Sequence, residues 1–328
     1  MPQLTWIGLS VDGYTIGKLI AEGVYSWVYE GTDTSGERRA FKVAKMPEYV
    51  QRSGAQFAAT ARGVFTGGAM EIEPNPRALL RSQHAKLTAA QDASLITVGS
   101  LFDQGGLTYY DMELFEGPTL RQARQSGPLS MQAFVDVAEA MARLSKQSPF
   151  ATHGDLKPDN ILLAGDRVIL IDPGYFGPIE SRQGPFFRAA VTTSIYYPLL
   201  RPDDLFAFGL MLWELVCGKH PLTIAAGDTA SEPEDEVPTG SHIAPHRELV
   251  RYVRRLGRTG NSNLDCLPAL PRPAAMREGL NPVLEHVILK LMRLRVKRDR
   301  LEIGEGCASF DVLAAGLRKV ISRGTTEI

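Results

Sequence analysis

The sequence predicts an α+β protein of two unequal lobes, an antiparallel sheet followed by a mainly helical part. Alternating apolar residues fill the stretch from Asp12 to Lys45 and are punctuated by hairpin-type turns. After Gly117 the apolar residues recur instead at helical spacing, which puts the boundary near Phe115 to Leu120. With 328 residues, 44% hydrophobic and 22% charged, the chain can bury a sizeable core in two packed bodies.

The elements follow in order. YTIGKLI, SWVYEGT and RRAFKVA are three successive strands, with Gly23 in the first turn and Asp33, Ser35 and Gly36 in the second. From Gln56 to Leu87 the composition turns to Ala, Leu, Arg and Gln and is read as helical, broken by Gly67-Gly68, Pro74 and Pro76. Pro76 suits the first turn of a helix running from Arg77 to about Leu87. The stretch from Lys45 to Pro76 is long for a strand-to-helix connection and is read as an insertion. SLITVGSLFDQGG and LTYYDMELF form a further hairpin. MQAFVDVAEAMARLSKQ is a helix and ILLAGDRVILID a short hairpin. DDLFAFGLMLWELVCG is an apolar helix too short to span a bilayer. Ala225 to Pro245, rich in Gly, Ser, Thr, Pro and acids, is read as a mobile loop or insertion. HRELVRYVRRL and NPVLEHVILKLMRLRVKR are read as helices, the basic residues from Lys290 to Arg300 being the solvated face of the second. The expected division is an N-terminal extension over 1–13, an N-lobe over 14–116, a C-lobe over 117–322 and a tail over 323–328.

A formal net charge of -1 gives no reason to expect nucleic acid or an anionic membrane as partner. No apolar run reaches transmembrane length, and the first residues lack the pattern of a signal peptide. Cys217, Cys266 and Cys307 are scattered and form neither a metal cluster nor a disulfide framework. These features point to a reducing cytoplasm without membrane insertion.

The chemistry-bearing residues cluster in a few short segments. His153-Gly154-Asp155-Leu156-Lys157-Pro158-Asp159-Asn160 puts a carboxylate, an ammonium and an amide on one short loop, suited to one reacting centre. Asp172-Pro173-Gly174 follows after the apolar run VILI. Upstream stand Ala40-Phe41-Lys42 and the turn Ala21-Glu22-Gly23-Val24-Tyr25-Ser26-Trp27-Val28. In this order the segments resemble the eukaryotic-like serine/threonine protein kinases, members of the protein kinase superfamily. The resemblance runs from about Tyr14 to Val320 and implies ATP and Mg2+ as cofactors and a two-lobed protein-kinase-like fold.

Residue by residue, it implies that Asp155 accepts or orients the proton of the acceptor hydroxyl and that Lys157 steadies the transferring phosphoryl group. Asn160 and Asp172 would hold magnesium, and Lys42 the α- and β-phosphates. Ala21, Gly23 and Ser26 would cover the phosphates. Val28 and Ala40 would roof the adenine, Leu162 would floor it, Met112 would be the gatekeeper, and main-chain groups of Glu113 and Phe115 would hold the ring. Thr192 to Leu199 resembles the end of the activation loop, with Pro198 matching its proline and Leu199 replacing its glutamate. Arg300 is the candidate for the arginine that normally pairs with that glutamate. Asp204-Leu205-Phe206-Ala207-Phe208-Gly209 resembles the start of the central C-lobe helix, with Asp204 binding the backbone of the catalytic loop.

The departures carry expectations too. Only Gly23 survives of the three loop glycines, which makes for a stiffer phosphate cover. Pro173 replaces a phenylalanine and restricts the swing of its segment. Gly154 stands where an arginine normally meets a phosphorylated activation loop, so activity is expected not to depend on such phosphorylation. The glutamate that normally pairs with Lys42 is sought at Glu71 or Glu73. His153-Gly154-Asp155-Leu156 also resembles small-molecule phosphotransferases of the aminoglycoside or choline type, whereas Lys157, Thr192–Pro198 and Asp204–Gly209 favour protein kinases. A catalytically weak pseudokinase scaffold is the non-enzymatic alternative, opposed by the retention of Lys42, Asp155, Asn160 and Asp172. The protein substrate is not legible.

Overall fold

The structure is a computed structural model and describes residues 6–46, 59–61, 75–148, 150–178, 187–191, 196, 203–221, 272–297 and 300–328. Six strands form an antiparallel sheet in the order β1-β2-β3-β4-β7-β6. They are β1 (Ser10–Val11), β2 (Tyr14–Glu22), β3 (Ser26–Asp33), β4 (Arg38–Ala44), β6 (Val98–Gln104) and β7 (Leu107–Glu113). The alternation seen in the sequence separates two faces. Trp27, Tyr29, Phe41, Val43 and Tyr109 pack together on the outer face, joined by Trp6 and Ile16. Val28, Ala40, Tyr110 and Met112 turn to the inner face and join the main core. Lys42 pairs with Val28 and Tyr110 across the sheet and therefore points inward, with only 2% of its side chain exposed. Helix α1 (Pro76–Ala89) packs under this face, its first position taken by Pro76 and its cap by Asn75, whose side chain accepts from the Arg77 N–H.

Two regions differ from the sequence expectation in this part. Residues 6–13 join the sheet rather than extending from it, with β1 on its edge and Trp6 edge-on to Tyr109. Ala59–Ala61, inside the stretch read as helical, is strand β5. It pairs with β11 (Phe187–Val191), which pairs in turn with β10 (Tyr175–Pro178). Alanine favours helix locally, but strand pairing supplies backbone partners that propensity does not count.

The second part is mainly helical. Helix α2 (Leu120–Ser126) opens with a capping box between Thr119 and Gln122. Helix α3 (Met131–Leu144) buries one face, and α4 (Asp204–Cys217) is buried along almost its whole length, ending at Gly218 in the left-handed conformation. The short hairpin β8 (Ile161–Ala164) and β9 (Arg167–Leu170) joins the two parts, since Leu170 exchanges backbone bonds with Ser94 and Ile96. A short turn α5 (Pro273–Met276), α6 (Pro282–Leu291) and α7 (Phe310–Ser322) complete the described helices. The residues after Ser322 dock: Leu129 and Ile328 exchange backbone bonds at 2.9 Å, and Ile328 is buried.

The helix expected over NPVLEHVILKLMRLRVKR stops at Leu291, and the chain continues as β12 (Leu294–Lys297) paired with β13 (Arg300–Ile303). Arg293 has φ 55 and its guanidinium bonds Asp203 at 2.9 Å, so the chain turns there. The basic run from Lys290 to Arg300 is therefore not one helical face. The expected loop over Ala225–Pro245, the helix HRELVRYVRRL and Cys266 lie outside the described residues.

Candidate active site

The loop from His153 to Asn160 lies beneath the inner face of the sheet. Asp204, the first residue of α4, anchors it: its carboxylate accepts from the N–H groups of His153 at 2.7 Å and Gly154 at 2.9 Å. Gly154 has φ 81, a conformation that a side chain disfavours. The backbone thus accounts for a glycine where the resemblance has arginine. The His153 ring is fully buried and bonds the Ile171 carbonyl at 3.0 Å, and burial pushes its pKa down to about 4. A neutral imidazole holds the loop to the segment that carries Asp172.

From that anchor the functional groups converge. The Asn160 side-chain N–H2 donates to the Asp155 carboxylate at 2.9 Å, to the Asp155 carbonyl at 2.8 Å and to the Asp172 carbonyl at 3.3 Å. Lys157 Nζ lies 3.0 Å from the Asp155 carboxylate. Lys42 reaches Asp172 from the sheet at 2.5 Å. Asp172 has φ 53 and precedes Pro173, an uncommon backbone state held from both sides. Gly174 donates its N–H to the His153 carbonyl at 2.9 Å, and a Cβ there would lie 2.3 Å from the Gly154 carbonyl oxygen. The two segments approach so closely that only glycine fits.

The expected nucleotide-side residues lie on the inner face and below it. Val28, Ala40, Met112, Phe115 and Leu162 belong to one apolar cluster spanning the β3–β4–β7 face and β8. The Glu113 N–H is spent on the Thr97 carbonyl at 2.9 Å, so it is not available to a ligand in this arrangement. The turn from Ala21 to Ser26 closes with a 2.8 Å bond from the Gly23 N–H to the Ser26 carbonyl. Gly23 needs no positive φ, and a Cβ would have ordinary room. On the outer face Glu22 accepts from Lys45 at 2.6 Å and from the Trp27 indole at 3.2 Å, which ties the turn to β4.

Several residues without a sequence signature complete the site. Arg121 of α2 bonds both carboxylate oxygens of Asp159 at 2.9 Å, Glu214 of α4 at 2.8 Å and the Tyr196 hydroxyl at 2.8 Å. Tyr196 also bonds Glu214, and burial followed by the Glu214 charge raises its pKa. Gln83 and Lys86 of α1 bond the carbonyls of Pro173, His153 and Gly174. Each is one of several polar residues along α1, so spacing does not single it out. Helix α1 itself carries no Asp or Glu. Glu71 and Glu73, the sites proposed for the partner of Lys42, lie outside the described residues, as do Thr192–Ser194, Pro198, Leu199 and the side chain of Arg300.

This architecture is the two-lobed protein kinase fold. The kinase domain of Mycobacterium tuberculosis PknI matches it with a TM-score of 0.51 over 97% of this chain and 99% of that one, at 14% identity. In sequence the chain is similar to several serine/threonine protein kinases. Serine/threonine-protein kinase PknE of Mycobacterium tuberculosis is 24% identical over 302 residues, covering 87% of this chain and 43% of that protein. Mouse ribosomal protein S6 kinase alpha-2 is 25% identical over 173 residues, covering 48% of this chain and 23% of that protein. The chain thus spans less than half the length of either curated relative. No protein-family model matches it.

Proposed function

We propose that the chain is an ATP- and magnesium-dependent protein kinase that phosphorylates serine or threonine hydroxyls. The observation that carries this is the unbroken contact path from Lys42 through Asp172 and Asn160 to Asp155 and Lys157. Two segments of one lobe and a strand of the other place five polar groups around one centre, as phosphoryl transfer demands.

The donor set fits magnesium. The Asn160 N–H2 is turned to Asp155 and to the Asp172 carbonyl, so its amide oxygen and the part-exposed Asp172 carboxylate are the oxygens proposed for the cation. Two oxygen ligands of this kind suit a hard cation that keeps phosphate oxygens and water as its others. Bound there, it would neutralise charge on the transferring phosphate. Lys42 exchanges part of its hold on Asp172 for the α- and β-phosphates. Asp155, oriented by Asn160 and Lys157, accepts the hydrogen bond of the attacking hydroxyl, and Lys157 offsets charge on the phosphoryl group. Ala21, Gly23 and Ser26 cover the phosphates; Val28, Ala40 and Leu162 enclose the adenine, with Met112 behind it. The Glu113 carbonyl and main-chain groups of Phe115 hold its edge. A protein acceptor and a cytoplasmic location belong to the same reading.

The test is transfer from γ-labelled ATP with magnesium to a generic basic protein, wild type beside Asp155→Asn, with mass spectrometry of the product. Phosphoserine or phosphothreonine made by the wild type, and reduced about 10²–10⁴-fold in the variant, is the expected result. Equal transfer by both proteins would refute the role of Asp155. Transfer only to small hydroxylated acceptors would replace the protein-kinase reading.

A further inference from the structure

Lys86 is a half-buried cation that the proposed chemistry does not use. It lies in the last turn of α1, where a lysine ordinarily reaches solvent and complements the helix dipole. Here it turns inward. Its ammonium donates to the His153 carbonyl at 2.9 Å and to the Gly174 carbonyl at 3.3 Å, and sits 5.0 Å from the centre of the buried Phe150 ring. One turn earlier Gln83 donates to the Pro173 carbonyl at 3.0 Å. Two side chains of one N-lobe helix thus hold three carbonyls. One carbonyl belongs to the loop that carries Asp155, and two belong to the segment that carries Asp172.

We propose that Lys86 is a positioning residue, which fixes Asp155 and Asp172 relative to each other by clamping the joint between their two segments. His153 lies two residues before Asp155, and Gly174 two residues after Asp172. The His153 carbonyl accepts from both the Gly174 N–H and Lys86, so one ammonium spans the joint. Helix α1 has no carboxylate of its own to offer Lys42, and its described hold on the active site runs through these carbonyls. Burial is unfavourable for the ammonium: desolvation lowers its pKa to about 8, opposed by the nearby Asp204 charge. A cation held at such a cost is poorly explained as a helix stabiliser, because an apolar residue of similar length would pack there at least as well.

The inference rests on the kinase reading for its catalytic consequence and on the clamp alone for its physical one. The test is Lys86→Met in the full chain, with two readouts. Under the proposal kcat falls at least 10-fold while KM for ATP stays within about 3-fold and the thermal unfolding midpoint holds or rises. The Gly174 amide, followed by hydrogen exchange without nucleotide, exchanges at least 10-fold faster than in the wild type. Wild-type kcat together with unchanged Gly174 exchange would overturn the proposal. If the wild type transfers no phosphate, the kinase reading fails on its own, and the exchange measurement still decides the clamp.

Discussion

Asp204 is the residue whose removal has the most calculable consequence. Its buried carboxylate accepts from the His153 and Gly154 N–H groups at 2.7 and 2.9 Å, so it sets the position of the loop that ends in Asp155. In Asp204→Ala both N–H groups lose a charged acceptor in a buried place. A buried donor left without its partner costs about 1–3 kcal/mol. The two together cost about 2–6 kcal/mol, with a few tenths more from the acidic residue in the first turn of α4. That is a large share of a typical native stability of about 5–15 kcal/mol. Asp204→Asn separates the causes. Its amide keeps one acceptor oxygen and turns an N–H2 toward the second donor, so it is expected to lose roughly half as much. Urea unfolding followed by tryptophan fluorescence reads both variants. Phosphotransfer at a temperature where each remains folded reads the shift of Asp155. An Asp204→Ala protein within about 1 kcal/mol of wild type, or an Asn variant as damaged as the Ala variant, would refute the account.

Two further predictions follow from burial and from the Gly154 backbone. His153 and His220 are both buried, and desolvation pushes each pKa down to about 4. Their neutral forms stabilise the fold fully above the unfolded value of about 6.5, and that stability is lost as pH falls toward 4. Between pH 6 and 5, above the range of ordinary carboxylates, unfolding free energy should drop by about 1 kcal/mol for each histidine. A flat profile there would show that the imidazoles are not buried neutral. Thr192→Ala, Thr193→Ala and Ser194→Ala combined in one protein should retain phosphotransfer, because Gly154 offers no cation to a phosphorylated loop. Complete loss in a folded variant would count against this, provided that the single Thr192→Ala change alone is harmless.

Much of the fold was legible because its signals are local. The strand alternation around Phe41 separates an outer face from an inner one, and it aims Lys42 inward before any partner is known. The apolar length of α4, with Asp203 before it and Gly218 after it, marks a buried helix with both ends capped. The catalytic loop was readable because a carboxylate, an ammonium and an amide occupy fixed offsets on one short segment. Ala59–Ala61 and the chain after Leu291 were misread, because helical composition there is overridden by pairing with strands far away in sequence or by a turn at Arg293. Only the tertiary structure decided that Lys42 meets Asp172, that Gly154 is required by its φ, and that Lys86 and Arg121 tie the two lobes and the loops together. Such contacts join residues many positions apart through lone polar side chains. A periodic pattern records which way a side chain faces, whereas the partner waiting there is set by how the elements pack.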